Sequence, residues 1–293
     1  MKFHILIITS LLIASCATSK KTEERTLIYE DISVSYPILP WVQKFEERQR
    51  DARLLGVNPQ YGYFECRKTA EIRDTYFCLY SDQSSMNYAL GRATCFIEGA
   101  FCNSPKGTLL STNEKNFLAS VRQTLGHDLR GAALADFYEK LKQKCEQQPQ
   151  GGFCPTPQES EIFERIILPG VQKSKDFIIV IAAHLGRGNF VGTFSHEVLH
   201  AQYFNDETYQ KAIDAFWTKE LSEKDKAIIR DALSTAYDKS DEFLMKNEFQ
   251  AYTLEAGASN AMLSKFLPRF RARLLAALKN AGTQPIQVVL VKP

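Results

Sequence analysis

Histidine is scarce in this chain. Five occur in 293 residues, and none follows His200. A site built around His200 must therefore find any further partner upstream or among carboxylates. No Cys-x-x-Cys pair occurs, and this counts against a metal site made of thiolates. After the first residues, no apolar run is long enough to cross a bilayer as a helix. The phosphate-binding loops of nucleotide enzymes are also missing; Gly186-Arg187-Gly188 is too short to be one and reads as a turn. Repeats and low-complexity tracts are absent. Net charge at pH 7 is only +2, which gives no reason to expect a nucleic-acid partner. Hydrophobic content of 44% is that of an ordinary folded chain, long enough for one large domain or two small ones.

The N-terminus opens Met1-Lys2-Phe3-His4 and continues into a short, mostly apolar run to Ile13. A charged start before a short apolar core reads as a secretory signal, residues 1–15. It ends Ile13-Ala14-Ser15-Cys16, which resembles a bacterial lipobox; the alternative is a plain secretory signal with a chance cysteine. The resemblance implies that Cys16 is lipidated and that residues 16–26 are a polar tether. Ala17, rather than Asp, follows Cys16, and by that resemblance the lipoprotein is released to the outer membrane. It would face the periplasm or the cell surface.

Seven cysteines are present, and six of them follow Cys16. An even number in an exported chain reads as a disulfide set. Fifteen pairings are open. The simplest joins sequence neighbours: Cys66 with Cys78, Cys95 with Cys102, Cys145 with Cys154. All six lie in residues 27–157, read as a disulfide-rich N-terminal lobe. The breaker cluster over residues 147–157 marks its end, and residues 158–293 form the second domain.

Along the chain, residues 26–37 suggest an extended segment and residues 41–55 a helix. Residues 61–103 read as short strands or loops held by disulfides. Helices are expected over 113–125, 134–144 and 159–168, the last ended by Pro169-Gly170. The β-branched run 176–184 reads as a buried strand. Further helices are expected over 193–204, 206–219, 222–237, 241–254 and from Pro268 to about Leu278, with a last strand over 286–291. The fold class is α+β.

The chemistry concentrates in His196-Glu197-Val198-Leu199-His200. On a helix, histidines four apart project from one face. Two such imidazoles can share a zinc ion, with Glu197 beside them as the general base that activates water. A catalytic zinc usually takes three protein ligands. With no later histidine, the third is a downstream carboxylate: Glu248, or one of Asp206, Glu207, Glu220, Asp241, Glu242 and Glu255.

Lys246-Asn247-Glu248-Phe249-Gln250-Ala251 contains Asn-Glu-x-x-Ala, which resembles the second metal-helix motif of gluzincin zinc metallopeptidases. The resemblance covers residues 177–255, and the lobe before it matches no named family. It implies a zincin-like fold, zinc held by His196, His200 and Glu248, and Asn247 supporting the ligands. It also implies a peptide or protein substrate in the cell envelope. Tyr252, four residues after Glu248, faces the same way and is the expected donor to a developing oxyanion. In such enzymes the strand before the metal helix adds substrate as another strand, which here points to residues 177–184. Another reading keeps the fold as a binding or assembly scaffold with little turnover, though a scaffold has no need of Glu197. A third turns the same chemistry on a cell-wall amide. His184 and His127 read as ordinary strand-end and helix-end residues, and the basic last helix as a solvated face.

Overall fold

The computed structural model describes residues 35–37, 64–68, 72–99, 102, 104–113, 125–173, 179–184, 190–234, 236–255 and 267–289. The expected signal, lipobox, tether and the helix over 41–55 lie outside these residues, as does the helix over 113–125 except for its two ends.

A four-stranded sheet carries the site. It comprises β2 (Phe64–Lys68), β3 (Thr75–Tyr80), β4 (Gly126–Arg130) and β5 (Ile179–His184), in the order β2-β3-β5-β4. β3 and β5 run parallel, and the two outer pairings are antiparallel. Cys66 stands directly opposite Cys78 in the β2–β3 register, and the two are disulfide-bonded. Cys95–Cys102 and Cys145–Cys154 are the other two bonds, so the nearest-neighbour pairing holds. Three such bonds belong to a protein that folds outside the reducing cytoplasm. Among the described residues no helix is long and apolar enough to cross a membrane.

The sheet passes through the expected domain boundary near residue 157. β5 comes from the C-terminal side, yet it pairs with β3 and β4 from the N-terminal side. Residues Val34–Pro293 accordingly form one compact unit. Sequence breakers at 147–157 do mark a turn, but hydrogen bonds across the sheet override them as a boundary.

Residues expected to be only strands and loops contain a sixteen-residue helix, α1 (Gln83–Glu98). Asp82 caps it by accepting from Ser85 N at 2.8 Å. Met86, Ala89, Leu90, Ala93 and Phe96 are buried at helical spacing. Gly99 ends it with φ +76°, and a Cβ there would run into the Ser104 carbonyl. α2 (Gly131–Gln147) leaves β4 directly and buries Leu134, Phe137, Tyr138 and Leu141 on α1. Arg92, inside this layer, is buried against the Glu159 carboxylate and donates to the carbonyls of Gly152 (3.1 Å) and Cys154 (3.0 Å). Removing one member of a buried pair of this kind costs about 3–5 kcal/mol.

Pro169 does not end its helix. α3 (Pro157–Ile162) widens into a π-helical turn, Phe163–Ile167, and continues as α4 (Leu168–Lys173). The wider turn sits where the proline ring and its missing N–H must be accommodated.

On the other face of the sheet packs one long helix, and the later helices pack on it and on one another. α5 (Phe190–Asn205) lies on β4 and β5, with Phe194 against Phe77. It is buried almost all round from Phe194 to Tyr203, and the Tyr203 hydroxyl donates to Asp214 at 2.8 Å. α6 (Glu207–Ala215), α7 (Glu223–Leu233), α8 (Glu242–Leu254) and α9 (Leu267–Asn280) enclose a core of Leu199, Trp217, Phe216, Phe249 and Phe270. The last strand, β6 (Gln287–Val289), pairs in parallel with β1 (Ser35–Pro37). Gln202 on α5 tethers its approach through Gln284 O and Ile286 N, both at 2.8 Å.

Candidate metal centre

α5 and α8 cross so that three side chains meet. His196 and His200 project from α5, and Glu248 projects from α8; their ligand atoms lie within 4.8 Å of one another. All three residues are buried. His196 Nε2 stands 3.4 Å from Glu248 Oε2, and His200 Nε2 stands 3.7 Å from Glu248 Oε1. In a tetrahedral site with bonds of about 2.0–2.1 Å, neighbouring ligand atoms are about 3.3–3.4 Å apart. The two histidine–carboxylate separations are therefore within a few tenths of an ångström of those in such a site. Glu248 Oε2 is buried without a hydrogen-bond partner, a costly arrangement for a carboxylate unless a cation is to be met. The donor set suits a divalent metal ion.

Rival carboxylates are placed elsewhere. Asp206 caps α6, and Glu207 pairs with Lys211 on the surface. Glu220 faces Arg273 at 3.7 Å. Asp241 caps α8 and meets Lys106; Glu242 accepts from Trp217 and Arg230. Glu255 is in the site but supports it from behind, with Oε2 at 2.8 Å from His196 Nδ1. A carboxylate on the far nitrogen orients a ligating histidine and raises its basicity. Asn247, expected in such a role, instead accepts from Gln250 Nε2 at 3.3 Å. Gln250 also donates to Leu199 O and accepts from Tyr209, so this network ties α8 to α5 behind the ligands.

Glu197 is 6% exposed and lines the cleft, on the side of β4. Gly126 makes room for it: a Cβ there would stand 2.8 Å from Glu197 Cδ. Tyr252 lies with its ring 4.4 Å from that of His196, and its hydroxyl is 3.1 Å from the Tyr237 hydroxyl. Both tyrosines line the cleft.

Charge in the cleft is unbalanced. Glu98, Asp128, Glu197, Glu248 and Glu255 line it, and among the described residues no Lys or Arg does. Burial holds Glu197 well above the usual carboxylate range, and the Asp128 charge adds to this. Burial likewise raises Glu98, helped by Asp128 and Glu248. Asp128 is pushed up to about 6, by burial first, with His200 opposing. Glu248 runs the other way: burial opposes its charge, but His200 and His196 outweigh burial and lower its pKa.

Neither family models, curated proteins nor solved structures match the chain. Its chemistry follows from its own residues.

Two expectations change. β5 is paired on both sides, so it has no free edge to offer a substrate strand. β4 has one: among the described residues no strand pairs with its outer side. Gly126, Asp128, Glu98 and Tyr237 join the cleft without having been singled out for it, and Glu255, a candidate ligand, joins it as a support. They come from segments far apart in sequence, and only Leu125-Gly126-His127-Asp128 carried a local hint, a glycine beside two titratable side chains. His127 is not a helix end. It sits in β4, buried, with Thr94 and Asn87 on its two nitrogens.

Proposed function

We propose that this chain is a zinc-dependent, gluzincin-like metallopeptidase that cleaves peptide bonds in the bacterial cell envelope, anchored by a lipid on Cys16. The supporting observation is the convergence of His196, His200 and Glu248 from two helices, with Glu197 beside them and β4, whose outer side no strand pairs among the described residues, lining the same cleft. Bound zinc would lower the pKa of water to about 7 and polarise the scissile carbonyl.

The chain's residues supply the rest. An extended peptide binds along the free edge of β4 through backbone hydrogen bonds. Glu197 takes the proton of the attacking water on a carboxylate oxygen, held against Gly126, and passes it to the leaving amine. The Tyr237–Tyr252 hydroxyl pair is the source of the hydrogen bond to the oxyanion. Glu255 keeps His196 in the tautomer that leaves Nε2 free for zinc. Carboxylates around the cleft favour substrates carrying positive charge near the bond that is cut.

The test is hydrolysis of casein, a mixed fluorogenic peptide library and purified peptidoglycan by the purified chain, with and without a zinc chelator. Chelator-sensitive cleavage of casein or peptides is expected. Cleavage of peptidoglycan alone would move the substrate to a cell-wall amide. No turnover by a fully zinc-loaded protein would favour a binding or assembly scaffold.

A further inference from the structure

β4 is held from behind and acts in front. Residues alternate across the strand. His127 and Leu129 face α1, where His127 Nδ1 is 2.7 Å from Thr94 Oγ1 and Nε2 is 3.0 Å from Asn87 Oδ1. Gly126 and Asp128 face α5. The strand is thus locked in place with Asp128 aimed at the metal helix.

His200 needs what Asp128 offers. The residue is 1% exposed, and its Nδ1 has no hydrogen-bond partner. A buried polar group left unpaired costs about 1–3 kcal/mol. Asp128 Oδ2 is the nearby carboxylate oxygen, 3.8 Å from that nitrogen. The equivalent nitrogen of His196 already has Glu255 at 2.8 Å. The Nε2 atoms of both rings face Glu248.

We propose that Asp128 is a positioning residue of the metal centre: it accepts the Nδ1–H of His200 while Nε2 coordinates the ion. The inference rests on the metal-centre reading but not on peptidase activity. Closing the gap to hydrogen-bond length takes about 1 Å of side-chain movement. The two imidazoles are then braced from opposite sides, His196 by Glu255 at the end of α8 and His200 by a strand of the sheet. The strand that lines the cleft through Gly126 and Asp128 thereby becomes part of the zinc site. A shift of β4 would be felt as a change in metal affinity.

Zinc affinity and stoichiometry, measured by competition with a chromophoric chelator, test this on Asp128→Ala, Asp128→Asn and Asp128→Glu beside the wild type. One ion per chain is expected throughout, with affinity weakened about 10–100-fold in Asp128→Ala. Partial recovery is expected in Asp128→Glu, and unchanged thermal unfolding in the metal-free variants. Unaltered affinity in Asp128→Ala overturns the proposal. So does loss of the ion altogether, which would make Asp128 a ligand, or equal destabilisation with and without zinc, which would make it structural. If Asp128→Ala does not fold, Asp128→Asn carries the same comparison. A wild type that binds no zinc overturns both this inference and the metal-centre reading, whereas wild-type binding unchanged in every variant overturns this inference alone.

Discussion

Gly126 on β4 lies directly against the carboxylate of Glu197 on α5, so that a Cβ at the glycine would stand 2.8 Å from Glu197 Cδ. The strand and the proposed general base share one small space. Gly126→Ala forces one of them to move, and overpacking of this kind costs about 1–3 kcal/mol. Turnover should fall as well, by about 10²-fold if the carboxylate is displaced by about 1 Å. Zinc content should be unchanged, because the proposed site holds zinc through His196, His200 and Glu248. Steady-state kinetics with metal analysis checks both halves; normal turnover in the alanine variant would mean that Glu197 works from another position.

Glu197→Gln keeps the size of the side chain and removes its capacity to take a proton. In the proposed reaction it retains zinc and loses about 10²–10⁴-fold in kcat. A variant that cleaves peptides at the wild-type rate would remove Glu197 from the role of general base.

The local part of this site was legible in sequence. His196 and His200 are one helical turn apart, and the pattern around Glu248 supplied its residue number. The strand Ile179–His184 and the helices after it were legible from periodicity. What was not legible came from long-range pairing. Asp128 and Gly126 enter the cleft because β4 pairs antiparallel with β5, more than fifty residues later in the chain. The same pairing takes the edge away from β5 and dissolves the boundary near residue 157. α1 was missed for another reason: Ser, Gly and Cys among its buried positions blur the apolar spacing that Met86, Leu90 and Phe96 carry.

Glu255→Gln leaves a neutral acceptor on His196 Nδ1 in place of the carboxylate now at 2.8 Å. Zinc affinity is expected to fall about 10–100-fold without loss of the fold. Chelator competition together with far-UV circular dichroism measures this. An unchanged dissociation constant would show that the hydrogen bond does not tune the ligand.

Asp241 links the disulfide-bonded side of the protein to the helix that carries Glu248. It caps α8 by accepting from Leu244 N at 3.0 Å and meets Lys106 Nζ at 2.6 Å. Asp241→Ala should cost about 0.5–2 kcal/mol of stability in urea unfolding at neutral pH. Burial works against the Asp241 charge, but Lys106 and the amides of Leu244 and Phe243 outweigh it and hold the pKa below 3.8. A depressed carboxylate pKa gives stability that is complete above the unfolded value and lost as pH falls through the folded one. The difference between Asp241→Asn and wild type should therefore shrink as pH falls below 3.8. A gap that stays constant into acid would assign the effect to shape rather than charge.

The most direct measurement is the zinc content of purified wild-type protein and of His200→Ala and Glu248→Ala, each saturated with zinc and then dialysed. One tightly held ion per chain is expected in the wild type, and little or none in either variant. A wild type that retains no zinc, or variants that retain as much as it does, would contradict a metal centre built from His196, His200 and Glu248.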